Sequence, residues 1–281
     1  MLQMQLTPSP ITATVDFSAP GVSHGFLRLP YSRDDAAWGS IMTPITVVNN
    51  GEGPTALLTG ANHGDEYEGP IALFDLAATI RAEDVTGRII IVPAMNYPAF
   101  GAGTRTSPID RGNLNRSFPG RPDGTVTQKI ADYFQRVLLP MADVVVDFHS
   151  GGRTLDFLPY CAAHILPDKR QEGQSFDLVR AFGAPWSVKM LEIDAVGMYD
   201  TAAEEMGKTF VTTELGGGGT ATLPAGFTLR YGESVLFVEV QYTLHPYVFS
   251  IGWLAGSDEA VDLRRMAVYR PRFGTLTELE R

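Results

Sequence analysis

Cysteine is nearly absent. Cys161 is the single one among 281 residues, which excludes an intramolecular disulfide and any zinc site built from cysteines alone. Basic clusters are missing as well. The chain carries 22 Lys plus Arg against 32 Asp plus Glu, a formal charge of −10. It has no Lys/Arg stripe to give nucleic acid an electrostatic footprint, so no nucleic-acid partner is expected. Long apolar runs are lacking too. The longest stretch without Asp, Glu, Lys or Arg, Val240–Ser257, contains Gln241, His245, Pro246 and two glycines, too polar and too broken to span a bilayer. No Lys or Arg precedes Arg28, so the basic start of a secretory signal is missing. The expected setting is the cytoplasm, with no membrane association. Gly and Pro, 29 and 19 residues, are too few for a low-complexity or collagen-like chain.

What remains is an ordinary globular composition, 44% hydrophobic and 19% charged. The length suits two units, or one large α/β domain with an appendage. From about Ile41, apolar β-rich runs alternate with helical patterns, which predicts an α/β sheet flanked by helices. Strands are expected over Ile45–Asn49, Thr55–Thr59, Arg88–Val92, Asp143–Phe148 and Lys208–Thr213. The runs Ile89–Val92 and Val144–Val146 are continuous rather than alternating, as in strands buried on both faces. Helices are expected over Pro70–Ile80, with Pro in its first turn, and over Val126–Met141, where Ile130, Phe134, Val137, Leu138 and Met141 share a face. The first 23 or so residues, with Pro8, Pro10 and Pro20, read as an irregular surface arm. After Thr222 the pattern changes. Phe227–Phe249 alternates aromatic and β-branched with polar residues, predicting a small C-terminal β-rich appendage from about 223 to 281.

Three strands end in polar residues for which a core has no use. Thr55–Thr59 leads into Gly60-Ala61-Asn62-His63-Gly64-Asp65-Glu66. His63 and Glu66, three apart on a glycine-containing turn, suit one metal ion, and His149 after Val144–Phe148 supplies a third ligand. Two imidazoles and a carboxylate make a catalytic zinc set with one coordination position left for water. Open α/β sheets place their sites beyond the carboxyl ends of strands, where all three fall. His24, His164 and His245 have no acidic neighbour at such spacing and are read as structural.

The stretch Thr104–Gly120 holds Arg105, Arg111 and Arg116 in a glycine- and proline-rich loop. Guanidinium forks bind carboxylates in bidentate fashion, so this loop suits a substrate with a free carboxylate. Glu214, closing the run Phe210-Val211 and followed by Gly216–Gly219, suits a general base. A rival exists here: Gly216, Gly218 and Ala221 spell the dinucleotide pattern G-x-G-x-x-A. Pro224 then stands where the required helix should run, which argues against a nucleotide.

His63-Gly64-Asp65-Glu66, the Asn115-Arg116 loop ending in Phe118-Pro119-Gly120, Asp147-Phe148-His149 and Thr213-Glu214-Leu215-Gly216 occur in an order that resembles the succinylglutamate desuccinylase/aspartoacylase family. The resemblance runs from about Val22 to Thr222. It implies a zinc-carboxypeptidase-like fold, a mixed central sheet flanked by helices, with residues 1–222 as the deacylase domain. It implies one zinc ion per chain on His63, Glu66 and His149, with Glu214 as general base and Arg105 steadying the oxyanion. Asn115 and Arg116 then hold the α-carboxylate of a small N-acyl amino acid. Gly25–Ser32, Met95–Phe100 and Glu192–Asp200 resemble the branch that deacetylates N-acetyl-L-2,4-diaminobutyrate in ectoine breakdown. That substrate's side-chain ammonium wants an acid nearby. Asp194 or Asp200 would serve, and either is equally a surface or capping residue. The alternatives are a deacylase of another N-acyl amino acid, such as acylaspartate or succinylglutamate, with Arg111 the candidate second cation, or a zinc-binding relative without activity. Self-association into a homo-oligomer is left open.

Overall fold

The computed structural model describes residues 7–34, 37–191 and 196–218, together with the backbone of 236–244 and 261–269. Nine strands form one mixed sheet: β1 (Thr12–Ala13), β2 (Gly21–Pro30), β3 (Ser40–Asn50), β4 (Thr55–Gly60), β5 (Gly87–Val92), β6 (Val144–His149), β7 (Tyr160–His164), β8 (Trp186–Met190) and β9 (Thr209–Glu214). Their spatial order is β1-β2-β3-β5-β4-β6-β9-β7-β8. The central four, β5, β4, β6 and β9, run parallel. On one side β3 and β2 are antiparallel additions, and on the other β7 pairs antiparallel with β9. The helices are α1 (Glu68–Thr79), α2 (Tyr97–Ala102), α3 (Val126–Tyr133), α4 (Leu139–Met141), α5 (Lys169–Phe182) and α6 (Tyr199–Glu205).

The continuous apolar runs are explained by two cores, one on each face. Because strand side chains alternate, Val47, Leu57, Ile90, Val145 and Phe210 pack with α3 and α6. Their neighbours Val48, Leu58, Ile91, Val146 and Val211 pack with α1 and α5. Leu57 and Ile90 are fully buried, and each such side chain contributes about 1.5–3 kcal/mol relative to exposure. A strand used on both faces has no polar positions to spare until it ends. That confines the central strands' chemistry to their tips.

The expected helix Val126–Met141 is one helical run in three pieces. Thr125 and Gln128 open it with a reciprocal capping box. A π-turn at Phe134–Leu138 then joins α3 to α4, whose first turn holds Pro140. The wider turn absorbs a residue that cannot donate a backbone hydrogen bond. The five anticipated strands are present, four with ends shifted by at most one residue and the first starting five residues earlier, at Ser40.

The N-terminal reading needs correction. Ile11 is buried in the core, Thr12–Ala13 pairs with Arg28 and Leu27, and β2 begins at Gly21. The prolines flank this strand pair rather than abolish it. Of the C-terminal appendage, the described part is an antiparallel ladder of β10 (Leu236–Leu244) and β11 (Val261–Tyr269), separate from the main sheet. The rest of Phe227–Phe249, and of 223–281, lies outside the described residues. Among the described residues no helix is long and apolar enough to cross a membrane.

The connection through α1 takes β4 to β5 on one side, and the next places β6 on the other side of β4. The chain therefore reverses direction at the β4–β6 pair, which opens a crevice beyond their carboxyl ends.

Candidate metal centre

The loop after β4 is fixed before any ligand chemistry begins. Met95 and Asn96 donate backbone hydrogen bonds to the carbonyls of Gly60 and Ala61. Gly64 packs so closely on α2 that a Cβ there would lie 2.0 Å from the Ala99 carbonyl carbon, so only glycine fits. The tight turn, closed by Glu66 N–H on the His63 carbonyl, turns both side chains to the same place. Glu66 stands just ahead of α1, where the positive end of the helix favours a carboxylate.

His63, Glu66 and His149 converge. One donor atom from each lies within 4.8 Å of the others, and all three residues are buried. Glu66 Oε1 is 2.8 Å from His63 Nδ1, and Oε2 is 2.7 Å from His149 Nδ1. The other nitrogen of His149 faces Asp147 Oδ2 at 2.8 Å. Asp147 is itself held by the Thr59 hydroxyl at 2.7 Å and the Asn62 amide at 3.1 Å. Such a partner fixes the tautomer and ring orientation of a metal-binding imidazole. Two inward Nδ1 atoms and a carboxylate, with Asp147 behind His149, can hold a divalent metal ion.

Charge follows geometry. Burial would lower the His149 pKa, but Glu66 and Asp147 outweigh it and hold the value well above 6.5. His63 is lowered, chiefly by burial. Glu66 is held far below the usual carboxylate range: the cost of burial is more than offset by His149 and His63. Across the same opening, Glu214 pairs in register with His149. Burial pushes its carboxyl up to about 7, aided by Glu66 and Asp147 and opposed by His149 and Arg105. Its Oε2 is buried with no hydrogen-bond partner among the described residues.

These groups line a cavity of about 260 Å³ together with Arg105, Asn115, Arg116, Tyr160 and Asp200. Arg105, largely exposed, reaches Glu66 Oε1 at 3.3 Å. Arg116 donates to the Asn115 carbonyl at 2.7 Å. Asn115 is buried, and its side-chain oxygen accepts from the Tyr199 backbone N–H at 3.0 Å. Of the anticipated site residues that are described, Arg111 alone is not among those lining this cavity. It is exposed, in a left-handed turn at φ +57°. Asp194 lies outside the described residues.

The glycine run after Glu214 has a packing role. Gly216 accepts backbone hydrogen bonds from Gly151 and Phe157, and Gly217 bridges to Asp156. Asp147, Asn62 and Thr59 were given no role by sequence reasoning; only the adjacency of Asp147 to His149 hinted at one. His24 bonds Thr46 at 2.9 Å and buried His164 bonds Glu204 at 3.0 Å, both away from the cavity.

The sequence profile of the succinylglutamate desuccinylase/aspartoacylase catalytic domain matches residues 52–225, which include every residue of the cavity discussed above. The chain is 65% identical over 218 residues to N-alpha-acetyl-L-2,4-diaminobutyric acid deacetylase of Halomonas elongata, covering 78% of this chain and 64% of that protein. The product-bound structure of the ectoine utilization protein EutE (DoeB) from Ruegeria pomeroyi is 71% identical, with a TM-score of 0.74, covering 77% of this chain and 66% of that one. A succinylglutamate desuccinylase structure from a Silicibacter species is 54% identical, with a TM-score of 0.76, covering 94% of this chain and 93% of that one. The chain thus spans just under two thirds of the length of the first two relatives. By its motifs, its fold and this match, the chain belongs to the succinylglutamate desuccinylase/aspartoacylase family.

Proposed function

We propose that this protein is a zinc-dependent amidohydrolase that removes the acetyl group from N-acetyl-L-2,4-diaminobutyrate, giving acetate and the diamino acid, in the cytoplasmic breakdown of ectoine. The carrying observation is the convergence of His63, Glu66 and His149 within 4.8 Å, on the same cavity as Glu214. The name of the Halomonas relative supports the substrate, and that of the Ruegeria relative supports the place in ectoine use.

His63, Glu66 and His149 would hold the metal. Zinc bound there supplies Lewis acidity, which brings the pKa of a water from about 15.7 to about 7. Glu214 takes the proton of the attacking water and hands it to the leaving amine. Burial raises the affinity of Glu214 for a proton, which suits a carboxylate that accepts one and passes it on. Arg105 beside Glu66 faces the oxyanion that develops on the amide carbonyl; losing such a donor costs about 2.7–4 kcal/mol of barrier. The Asn115 amide and the Arg116 guanidinium hold the α-carboxylate and so fix the amide over Glu214. Ser150 and Cys161 take no part. The Ser150 hydroxyl is engaged by Glu68, and burial pushes the Cys161 thiol up to about 12.

The test is amine release from N-acetyl-L-2,4-diaminobutyrate with and without a chelator, followed by zinc. Turnover that the chelator abolishes and zinc restores is the expected result. No turnover from folded, zinc-loaded protein would sink the substrate assignment.

A further inference from the structure

We propose that Asn96 is a positioning residue of the candidate metal centre: acting through Asn62, it sets the imidazoles of His63 and His149 relative to one another. The proposal rests on the reading of His63, Glu66 and His149 as metal ligands and deepens it by naming what builds their geometry.

Asn96 stands at the N-cap of α2. An asparagine there ordinarily accepts a backbone N–H of the first turn through its side-chain oxygen. Asn96 makes no such bond. Its Oδ1 is buried with no hydrogen-bond partner among the described residues, and its amide nitrogen instead donates to the Asn62 carbonyl at 3.4 Å. A carbonyl only accepts, so the Asn62 oxygen selects the NH2 end of the amide. The residue forgoes the local bond that would steady its own helix and directs its donor to the loop after β4.

That loop needs holding. Ala61, fully buried, sits at φ +50°, a backbone conformation that is unfavourable for a residue with a Cβ. The Asn96 N–H donates to the Ala61 carbonyl at 3.1 Å, and the side chain takes the next carbonyl, that of Asn62. One residue therefore fixes two successive peptides immediately before His63. Just after His63, Gly64 is pressed against Ala99 of the same helix. His63 is thus bracketed by contacts to α2.

A second arm leads to the other imidazole. Asn62 donates its own side-chain amide to Asp147 Oδ2 at 3.1 Å, and that same oxygen faces His149 Nε2 at 2.8 Å. The path Asn96–Asn62–Asp147–His149 runs through residues no more than 8% exposed, where water cannot replace a lost partner. Both imidazoles therefore take their placement from one side chain that touches neither.

The test measures zinc affinity by competition with a chelator, and the visible spectrum of the cobalt-substituted protein, for wild type, Asn96→Ser and Thr125→Ala. Serine caps a helix about as well as asparagine does, so α2 keeps its local signal while the reach to Asn62 is lost. Zinc affinity should fall roughly tenfold, the lower end of the range for removing a group behind a metal ligand, and the cobalt bands should shift. Thr125→Ala removes the cap of α3 and reports what a loss of stability alone does; its affinity and spectrum should match wild type. Unchanged affinity and spectrum in Asn96→Ser, or an equal loss in Thr125→Ala, overturns the proposal. Combined with Asp147→Asn, the loss should fall short of the product of the two single losses, because both residues lie on one path; a full product overturns that path. Should Asn96→Ser fail to fold, wild type alone still decides. The amide hydrogens of Met95 and Asn96, bonded to Gly60 and Ala61, should exchange slowly in the metal-free protein, since the loop is built before metal arrives. Exchange at open-loop rates until zinc is added would assign the building to the metal and overturn the role of Asn96. A wild type that binds no zinc overturns the reading of the metal centre beneath it.

Discussion

Asp110 carries no chemistry, yet the substrate loop depends on it. Its carboxylate accepts from Thr127 N–H at 2.7 Å, from the Thr127 hydroxyl at 2.7 Å and from Gly112 N–H at 3.0 Å. It thus staples the loop bearing Arg105, Asn115 and Arg116 to the first turn of α3. Replacing it with alanine strands the polar groups of Thr127, which is 1% exposed, at a cost of about 1–3 kcal/mol. Because Asp110 is only half-buried, water can replace part of the loss, and about 1–2 kcal/mol is expected. At roughly 2–4 °C per kcal/mol for a domain this large, the melting temperature should fall by about 2–8 °C. Burial would raise the carboxyl's pKa, but the bonds from Thr127 and Gly112 outweigh it and hold it below 3.8. A depressed folded value means stability that is complete above the unfolded value, about 3.9, and lost as pH falls through the folded one. Urea midpoints of wild type and Asp110→Ala should therefore differ at pH 7, and the gap should begin to close as pH falls below about 4. KM for the proposed deacetylation should rise in the variant because the loop loses its staple. Equal midpoints at pH 7, or a gap that persists undiminished at pH 3.5, would refute the argument.

Three further outcomes are expected. Glu214→Gln should cut kcat by about 10²–10⁴-fold while still binding zinc, as judged by metal content after gel filtration; retained turnover would remove Glu214 from the mechanism. Asp147→Asn should weaken zinc binding about 10–100-fold in competition with a chromophoric chelator, since His149 loses its partner at 2.8 Å; unchanged affinity would deny the orienting role. Gly64→Ala places a Cβ 2.0 Å from the backbone of Ala99, so the His63–Glu66 turn must open. Both zinc content and melting temperature should drop, and a variant that keeps both contradicts the packing described.

The candidate metal donors were readable because each belongs to a short motif at the tip of a strand buried on both faces. A polar residue there has no packing reason to exist. The partners behind them were not readable. Thr59 and Asn62 reach Asp147 across more than 80 residues of chain, and no local pattern encodes a contact at that separation. The same holds for Asn115 on Tyr199. Arg111 looked equivalent to Arg105 and Arg116 by residue type, but its left-handed backbone sets it apart. β2 was missed because its alternation is shallow: Leu27 and Leu29 are buried, while Val22 and Phe26 are exposed. Helix α5 was legible in principle. Asp168 caps its start through Arg170 and Gln171 N–H, and Gly183 ends it in a left-handed turn, both recognisable punctuation.

The lone cysteine offers a means of timing local motion. Cys161 is fully buried, and its thiol is pushed up to about 12, so a thiol reagent finds almost no reactive thiolate in the closed protein. On β7 it faces Thr213 of β9 in register, one residue from the Tyr160–Glu214 pair. Labelling then requires an opening that exposes this strand pair, and with a single thiol in the chain every labelled molecule reports the same event. The labelling rate measures the free energy of parting the proposed base's strand from its neighbour, and its change on adding zinc would show how far the metal braces that part of the sheet.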